Sequence, residues 1–307
     1  DTRDGFNALT GSIDKDTQWI WLPDENFSTN HWVEFRQTLQ IDRAENAAFL
    51  IAADTAYQLW INGQLVDDAC FSDFPEDRFY NAIDVSACLQ AGKNCIAVLG
   101  YYQGVNTSRY VAGQPGLVFE LQCDGKRMLK SDSTCKARTS LGYVSGDVPL
   151  VTDQLGLTIE YDAAQDDDWK SIDYDDSHWA IAEELASACD LPGCTLAPYP
   201  LKRFDRSFAE GTLIKHGRLA DVPQSGTAAD QVSGAVLQET EILNRPQDLD
   251  VPASAAGSFL LFDLGRETCG YLLIELDADD TTVIDIAHGQ HILDGRVRAK
   301  IHSRNFA

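Results

Sequence analysis

Short apolar or alternating runs, each closed by Gly, Pro, Asn or Asp, recur along the chain. They are WVEFRQTLQI (32–41), AAFLIAA (47–53), CIAVLGYY (95–102), GLVFELQC (116–123), FLLFDL (259–264), YLLIEL (271–276) and TVIDIAH (282–288). A two-residue period puts successive side chains on opposite faces of a strand, so these runs predict strands rather than helices. In ADTAYQLWINGQLV (53–66), Tyr57, Leu59 and Ile61 make one face and Gln58, Trp60 and Asn62 the other. Asn62-Gly63 supplies the positive φ angles of a tight hairpin turn. This hairpin carries a tryptophan in its polar register, so its second face is either covered by packing or open to a ligand.

Helical periodicity is scarce. DVSACLQAG (84–92) suits one or two turns between Asp84 or Ser86 and Gly92, and SHWAIAEELASA (177–188) suits a second helix. GRLADVPQSGTAADQVSG (217–234) is polar and rich in small residues, which predicts a long loop. Three prolines in CDLPGCTLAPYPLKRF (189–204) interrupt any ladder and mark a domain boundary. The pattern predicts an all-β chain of two consecutive β-sandwich domains, residues 1–195 and 196–307.

Composition narrows the partners. The 307 residues hold 48 acidic against 24 basic side chains, a formal charge of −24, which repels phosphate backbones and anionic headgroups. Nucleic acid and membrane surfaces are therefore not expected partners, and no apolar run is long enough for a membrane-spanning helix. The eight cysteines, at 70, 88, 95, 123, 135, 189, 194 and 269, show no CxxC pair and no zinc-like spacing. Most are expected reduced, in a cytoplasm, with a secreted form left open and Cys189 and Cys194 the pair closest in sequence. Neither a metal site nor a cofactor is expected.

The order of motifs is more specific than any one of them. WIWLP (19–23), WVEFRQTL (32–39), AADTAYQLWINGQLV (52–66), FYNAIDVSACLQAGKNCIAVLGYY (79–102) and DYDDSHWAIA (173–182) resemble the galactose-binding-like jelly-roll domains of glycoside hydrolases. FDLGRETCGYLLIEL (262–276) and IDIAHGQHILDGRV (284–297) resemble the sandwich that follows in bacterial α-L-rhamnosidases. The resemblance implies an inverting glycosidase acting on rhamnose-containing glycosides, in which one carboxylic acid protonates the leaving oxygen and a carboxylate activates water. It also implies that both carboxylates sit on a C-terminal helical catalytic domain that follows the sandwiches, and that the second sandwich, residues 196–307, is incomplete at its C-terminal end, with an open sheet edge that would favour a homo-oligomer. No catalytic residue is thus assigned within the chain, which reads as the non-catalytic N-terminal region of such an enzyme. A stand-alone pair of carbohydrate-binding modules is the alternative.

Trp60, Asn62 and Asp54 are the candidate substrate-binding residues, since an aromatic face stacks on a pyranose while amides and carboxylates take its hydroxyls. Trp19, Trp21, Trp32 and Tyr80 are further platforms. The competing expectation, which weighs more, is that an aromatic on a sandwich strand is covered by packing. Asp263, Arg266 and Glu267 read as a local ion pair fixing a turn. QDDDW (165–169) and DADDT (277–281) read as solvated turns rather than calcium sites, and His288 and His291, on opposite faces of a strand, do not make a metal pair.

Overall fold

Hydrogen bonding follows the two-residue period into two layers. The computed structural model describes residues 11–22, 29–42, 45–71, 73–188, 195–201, 207–239, 256–268, 270, 272–275, 277 and 281–307. The chain divides into two units: Asp1–Val148 with Asp153–Lys202, and Pro149–Thr152 with Arg203–Ala307.

The first unit holds β1 (Gln18–Trp21), β2 (His31–Ile41), β3 (Ala47–Asp54), β4 (Ala56–Ile61), β5 (Gln64–Cys70), β6 (Asp77–Asp84), β7 (Gly92–Tyr102), β8 (Gly116–Cys123), β9 (Lys126–Lys130) and β10 (Lys136–Thr139). The short strand β11 (Leu150–Thr152) belongs to the second unit; in the first, after β12 (Gly156–Leu157), which lies outside both layers, come β13 (Ala180–Ile181), β14 (Glu183–Ser187) and β15 (Thr195–Pro198). A seven-stranded sheet runs β14-β1-β8-β3-β6-β15 with β9 beside β8, and a six-stranded sheet runs β13-β10-β2-β7-β4-β5. Between them lies the core, in which Val33, Phe35, Tyr57, Leu59, Ile61, Ile96 and Val98 of one sheet meet Ile20, Phe49, Ile51, Leu117, Phe119 and Leu121 of the other. The unit is a β-sandwich, as its pattern predicts.

The hairpin at 53–66 forms with the expected chemistry. Asn62 and Gly63 take φ of 53° and 82°, and β4 alternates between half-buried and buried positions. One turn of 3₁₀ helix at Ser86–Cys88 is all that DVSACLQAG contributes. Residues 177–188 are not helical: β13 pairs with β10 and β14 with β1, so their backbone donors serve one sheet and then the other. At the entry to β1, Arg127 and Lys130 of β9 grip Asp16, with Nη2 and Nζ at 2.9 and 3.1 Å from Oδ2. The Arg127 hydrogen bond, then that of Lys130, lowers the Asp16 carboxyl to about 2. A depressed folded-state pKa contributes stability above the unfolded value, lost as pH falls through the folded one. The Asp16→Asn chain is therefore expected to unfold at lower urea than the parent at pH 6, and the two midpoints to converge between pH 4 and pH 2. A gap that persists at pH 2 would contradict this.

The second unit contains β16 (Thr212–Asp221), α1 (Ala228–Gly234), β17 (Val236–Glu239), β18 (Ser258–Asp263) and the hairpins β19 (Ile292–Leu293) to β20 (Arg296–Val297) and β21 (Lys300–Ile301) to β22 (Arg304–Asn305). Its largest sheet is β17-β16-β18. The loop expected at 217–234 is instead the end of a strand followed by a helix. A capping box starts that helix, Thr227 Oγ1 accepting from the Asp230 amide and Asp230 from the Thr227 amide. Arg296 Nη1 closes it, donating to the carbonyls of Val232, Ser233 and Ala235. The described residues of 271–276 and 282–288 form no strand, and Val283 among them is 84% exposed.

Candidate functional site

The outer face of the six-stranded sheet carries what the pattern marked as polar positions. Register aligns Arg138 (β10), Glu34 (β2), Leu99 (β7) and Gln58 (β4) in one row, and Lys136, Arg36, Ala97 and Trp60 in the next. Small side chains on β7, Cys95 and Ala97, leave room above the sheet. Trp169 and Trp179 fill it, in a cluster with Trp32 and Leu99 that Trp60, Tyr101, Tyr143 and Tyr174 adjoin. Residues 161–179 thus form a strap over this face.

Two arginines hold the strap. Arg36 donates from Nε to Asp176 Oδ2 at 2.9 Å, from Nη1 to the Ser171 carbonyl at 2.8 Å and to that of Trp169, and from Nη2 toward that of Tyr174 at 3.4 Å. Arg138 donates from Nε to Glu34 at 2.6 Å, to both oxygens of Asp167 at 3.0 and 2.6 Å, and lies 4.3 Å from the Trp179 ring centre. Burial pushes the Glu34 carboxyl above its ordinary value, against hydrogen bonds from Ser140 and Arg138. Burial acts the same way on Asp167, but hydrogen bonds from Arg138 and Tyr174 take it below the ordinary carboxylate range. The cluster QDDDW is therefore an ion-paired anchor, not a freely solvated turn.

Beside the strap lies a shallow depression lined by Glu34, Gln58, Trp60, Leu99, Tyr143, Tyr161, Asp166, Trp169 and Lys170. It joins aromatic rings to two carboxylates, an amide and an ammonium, the side-chain set that binds sugars. Its carboxylates are engaged. Glu34 accepts from Ser140 Oγ at 2.7 Å as well as from Arg138, and Asp166 Oδ2 accepts from Tyr161 at 2.6 Å and from Lys170 at 3.1 Å. Lys170 Nζ lies 5.2 Å from the ring centres of both Trp60 and Trp169, which meet edge to face at 5.6 Å.

The three residues nominated from sequence do not converge. Trp60 is half-buried in this depression, covered on one side by Trp169 and Lys170. Asn62 serves its turn: Nδ2 donates to the Cys88 carbonyl at 3.2 Å and to Asn94 at 2.9 Å, and Oδ1 accepts from the Cys95 amide at 2.9 Å. Asp54 is buried at the end of β3 in the other sheet, accepting from Arg78 at 2.7 Å and from the Tyr110 hydroxyl at 2.5 Å. Trp19, Trp21 and Tyr80 are buried, and Trp32 is stacked between Tyr101 and Tyr143 at 4.1 and 4.4 Å. Asp263 accepts from the Gly265 amide at 2.8 Å and Glu267 from Gln290, 23 residues on, at 2.9 Å, so the two are bonded to different partners rather than to one turn. Among the described residues no group of three His, Cys, Asp or Glu could hold a metal ion. Cys189 and Cys194 lie outside the described residues.

Pattern reading did not identify Glu34, Tyr143, Tyr161, Asp166, Trp169 and Lys170 as lining this depression. Two signals were present: the repeated acidic-Trp motif in DDDW and DDSHW, and the small residues Cys95 and Ala97 alternating with Ile96 and Val98. With Trp60 only half-buried, Trp60→Ala is expected to lower stability by about 2 kcal/mol, the worth of one edge-to-face pair, one cation–π contact and partial burial. Urea unfolding measures it. A cost below about 0.5 kcal/mol would mean that the packing seen around the ring contributes nothing.

Comparison with known proteins matches residues 42–192 to the family described as the α-L-rhamnosidase N-terminal domain. An α-L-rhamnosidase of Formosa agariphila is 28% identical over 174 residues, covering 50% of this chain and 17% of that protein. The crystal structure of a GH78 family rhamnosidase from Bacillus sp. GL1 superposes with a TM-score of 0.64 at 27% identity, over 69% of this chain and 23% of the other. The chain thus spans less than a quarter of either relative's length.

Proposed function

The chain carries an α-L-rhamnosidase N-terminal domain, and from that premise we propose that it is the non-catalytic N-terminal region of an α-L-rhamnosidase-like glycoside hydrolase. Its partner is a C-terminal helical catalytic domain of the same enzyme, and the substrate is a rhamnose-containing glycoside. The observation that carries the reading is the family match over 42–192, placed on a sandwich whose site carboxylates are engaged. Inverting hydrolysis needs two carboxyl groups roughly 6.5 to 9.5 Å apart, one of them free to give up a proton and the other free to take one from water. Glu34, Asp54, Asp166 and Asp167 are each held by a cation, and Asp263 and Glu267 are exposed and bound to neighbouring chain. We place the protein in a reducing compartment, the bacterial cytoplasm, on the scatter of its cysteines through the sequence.

The purified 307-residue chain is expected to leave an aryl α-L-rhamnoside intact, whereas the full gene product hydrolyses it. Turnover by the 307-residue chain that Asp263→Asn or Glu267→Gln abolishes would overturn the assignment. The depression around Trp60 favours a second reading, a stand-alone carbohydrate-binding module. Calorimetry with L-rhamnose separates the two: heat of binding that Trp60→Ala removes, with the fold intact, would favour the module.

A further inference from the structure

The Lys170 ammonium stands over the rings of Trp60 and Trp169, 5.2 Å from each centre, and 3.1 Å from Asp166 Oδ2. An organic cation asks for this kind of surrounding, ring faces within about 6 Å and a carboxylate beside them. Tyr143 and Tyr161, with ring centres 4.7 Å apart, line the same depression. Water reaches it, since the Lys170 side chain is 27% exposed and Tyr161 48%. An ion pair between residues four apart at such a surface is weak, so the ammonium keeps its seat because it is tethered there.

The seat suits a cation better than a neutral hydroxyl. Glu34 already accepts from Ser140 Oγ and Arg138 Nε. Asp166 accepts from the Tyr161 hydroxyl and, at 3.1 Å, from the Asp167 amide, besides Lys170. The acceptors a sugar hydroxyl would seek are thus largely taken by the protein's own donors, whereas a ring face attracts a cation without a free lone pair. Arg138 pairs with Glu34, so displacing Lys170 leaves the Asp166 charge uncompensated beside the rings. The formal charge of −24 adds attraction of the same sign over longer range.

We infer that this depression is an aromatic cation site for a small organic ammonium ion, and that Lys170 is its built-in competitor, displaced when such a ligand binds. The inference stands on the first unit alone and does not depend on the glycosidase reading. Two sources share the chemistry, a quaternary amine and a protonated amino sugar.

Proton–nitrogen NMR of the 307-residue chain tests both parts. The indole N–H signal of Trp60 is recognised among the six tryptophans as the one that Trp60→Leu removes. At pH 6 and constant ionic strength, it should shift as sodium chloride is exchanged for tetramethylammonium chloride or for glucosamine hydrochloride, and the shift should saturate. Lys170→Ala should bind the responding ligand more tightly than the parent by about tenfold or more, because the tethered cation is gone. Lys170→Gln, which keeps the length without the charge, serves if Lys170→Ala fails to fold. Asp166→Asn, made in the Lys170→Ala chain, should weaken binding again. Saturation with tetramethylammonium alone assigns quaternary amines, and saturation with glucosamine but not with neutral N-acetylglucosamine assigns amino sugars; either supports the inference. Equal affinity in the parent and Lys170→Ala would overturn the competitor role. No saturating shift in Lys170→Ala, or the same shift with N-acetylglucosamine, would overturn the cation site. A Trp60 shift with L-rhamnose and with neither ammonium would overturn it in favour of the carbohydrate-binding module.

Discussion

Arg36→Ala is expected to destabilise the first unit by about 4 kcal/mol, within the 3–5 kcal/mol that follows removal of one partner from a buried ion pair. The Arg36 side chain is fully buried, and its guanidinium is the donor for Asp176 and for the strap carbonyls of Trp169, Ser171 and Tyr174. Truncation strands those acceptors under the strap and removes the guanidinium from its place 5.2 Å from the Tyr174 ring centre. Each buried acceptor left without a donor costs about 1–3 kcal/mol, and partial opening of the strap to water is what limits the total. Urea unfolding at pH 7 gives the free energy. Hydrogen exchange should show residues 165–179 losing protection more than β2 or β7. Asp176→Asn keeps an acceptor for Nε and should cost far less, about 1 kcal/mol, because Asp176 itself is partly exposed. A loss below about 1 kcal/mol for Arg36→Ala, with exchange in the strap unchanged, would show that the strap is held by its tryptophans alone.

The contrast between β4 and the strap explains what the sequence could disclose. Alternation along β4 and the turn at Asn62-Gly63 are local, set by residues within a dozen positions, and both stand in the structure as the pattern predicts. The strap is held by pairs such as Arg36 with Asp176, which lie 140 residues apart, and no period encodes such a pairing. For the same reason the side chains facing outward on β2, Trp32, Glu34 and Arg36, look like a solvated face yet are buried. Residues 177–188 suit a helix by pattern; in the structure Trp179 anchors the strap while Ala180–Ile181 and Glu183–Ser187 are short strands in different sheets. In the second unit, Thr227 and Asp230 spell a helix start, but the surrounding small polar residues hid it. At 282–288 the opposite holds: a strand-like pattern finds no strand to pair with among the described residues. The candidate site shares this division. Trp60 was legible as an aromatic out of register, whereas Trp169, Lys170 and Asp166, which determine how much of it faces water, arrive from a segment more than a hundred residues downstream.

Trp169→Ala is expected to cost about 4 kcal/mol, in the range for emptying a buried aromatic site. Trp169 is 1% exposed, meets Trp60 and Trp179 at ring-centre distances of 5.6 and 6.2 Å, and sits above the small side chains of Cys95 and Ala97, which cannot expand to fill the void. Its carbonyl also accepts from Arg36, so the two residues act on one segment. Residues that share a segment are not additive. Once Trp169→Ala has loosened the strap, the acceptors that Arg36 satisfies reach water, and the double variant should lose less than the sum of the single losses, by about 1 kcal/mol or more. Urea unfolding of the parent, both single variants and the double variant measures that difference. Strict additivity would mean that the guanidinium and the indole hold separate parts of the strap. Trp60 would then keep its cover in Arg36→Ala, whereas a cooperative strap uncovers Trp60 in Arg36→Ala as the loss of its neighbour does in Trp169→Ala, as its fluorescence quenching by acrylamide would register against the background of the buried Trp19 and Trp21.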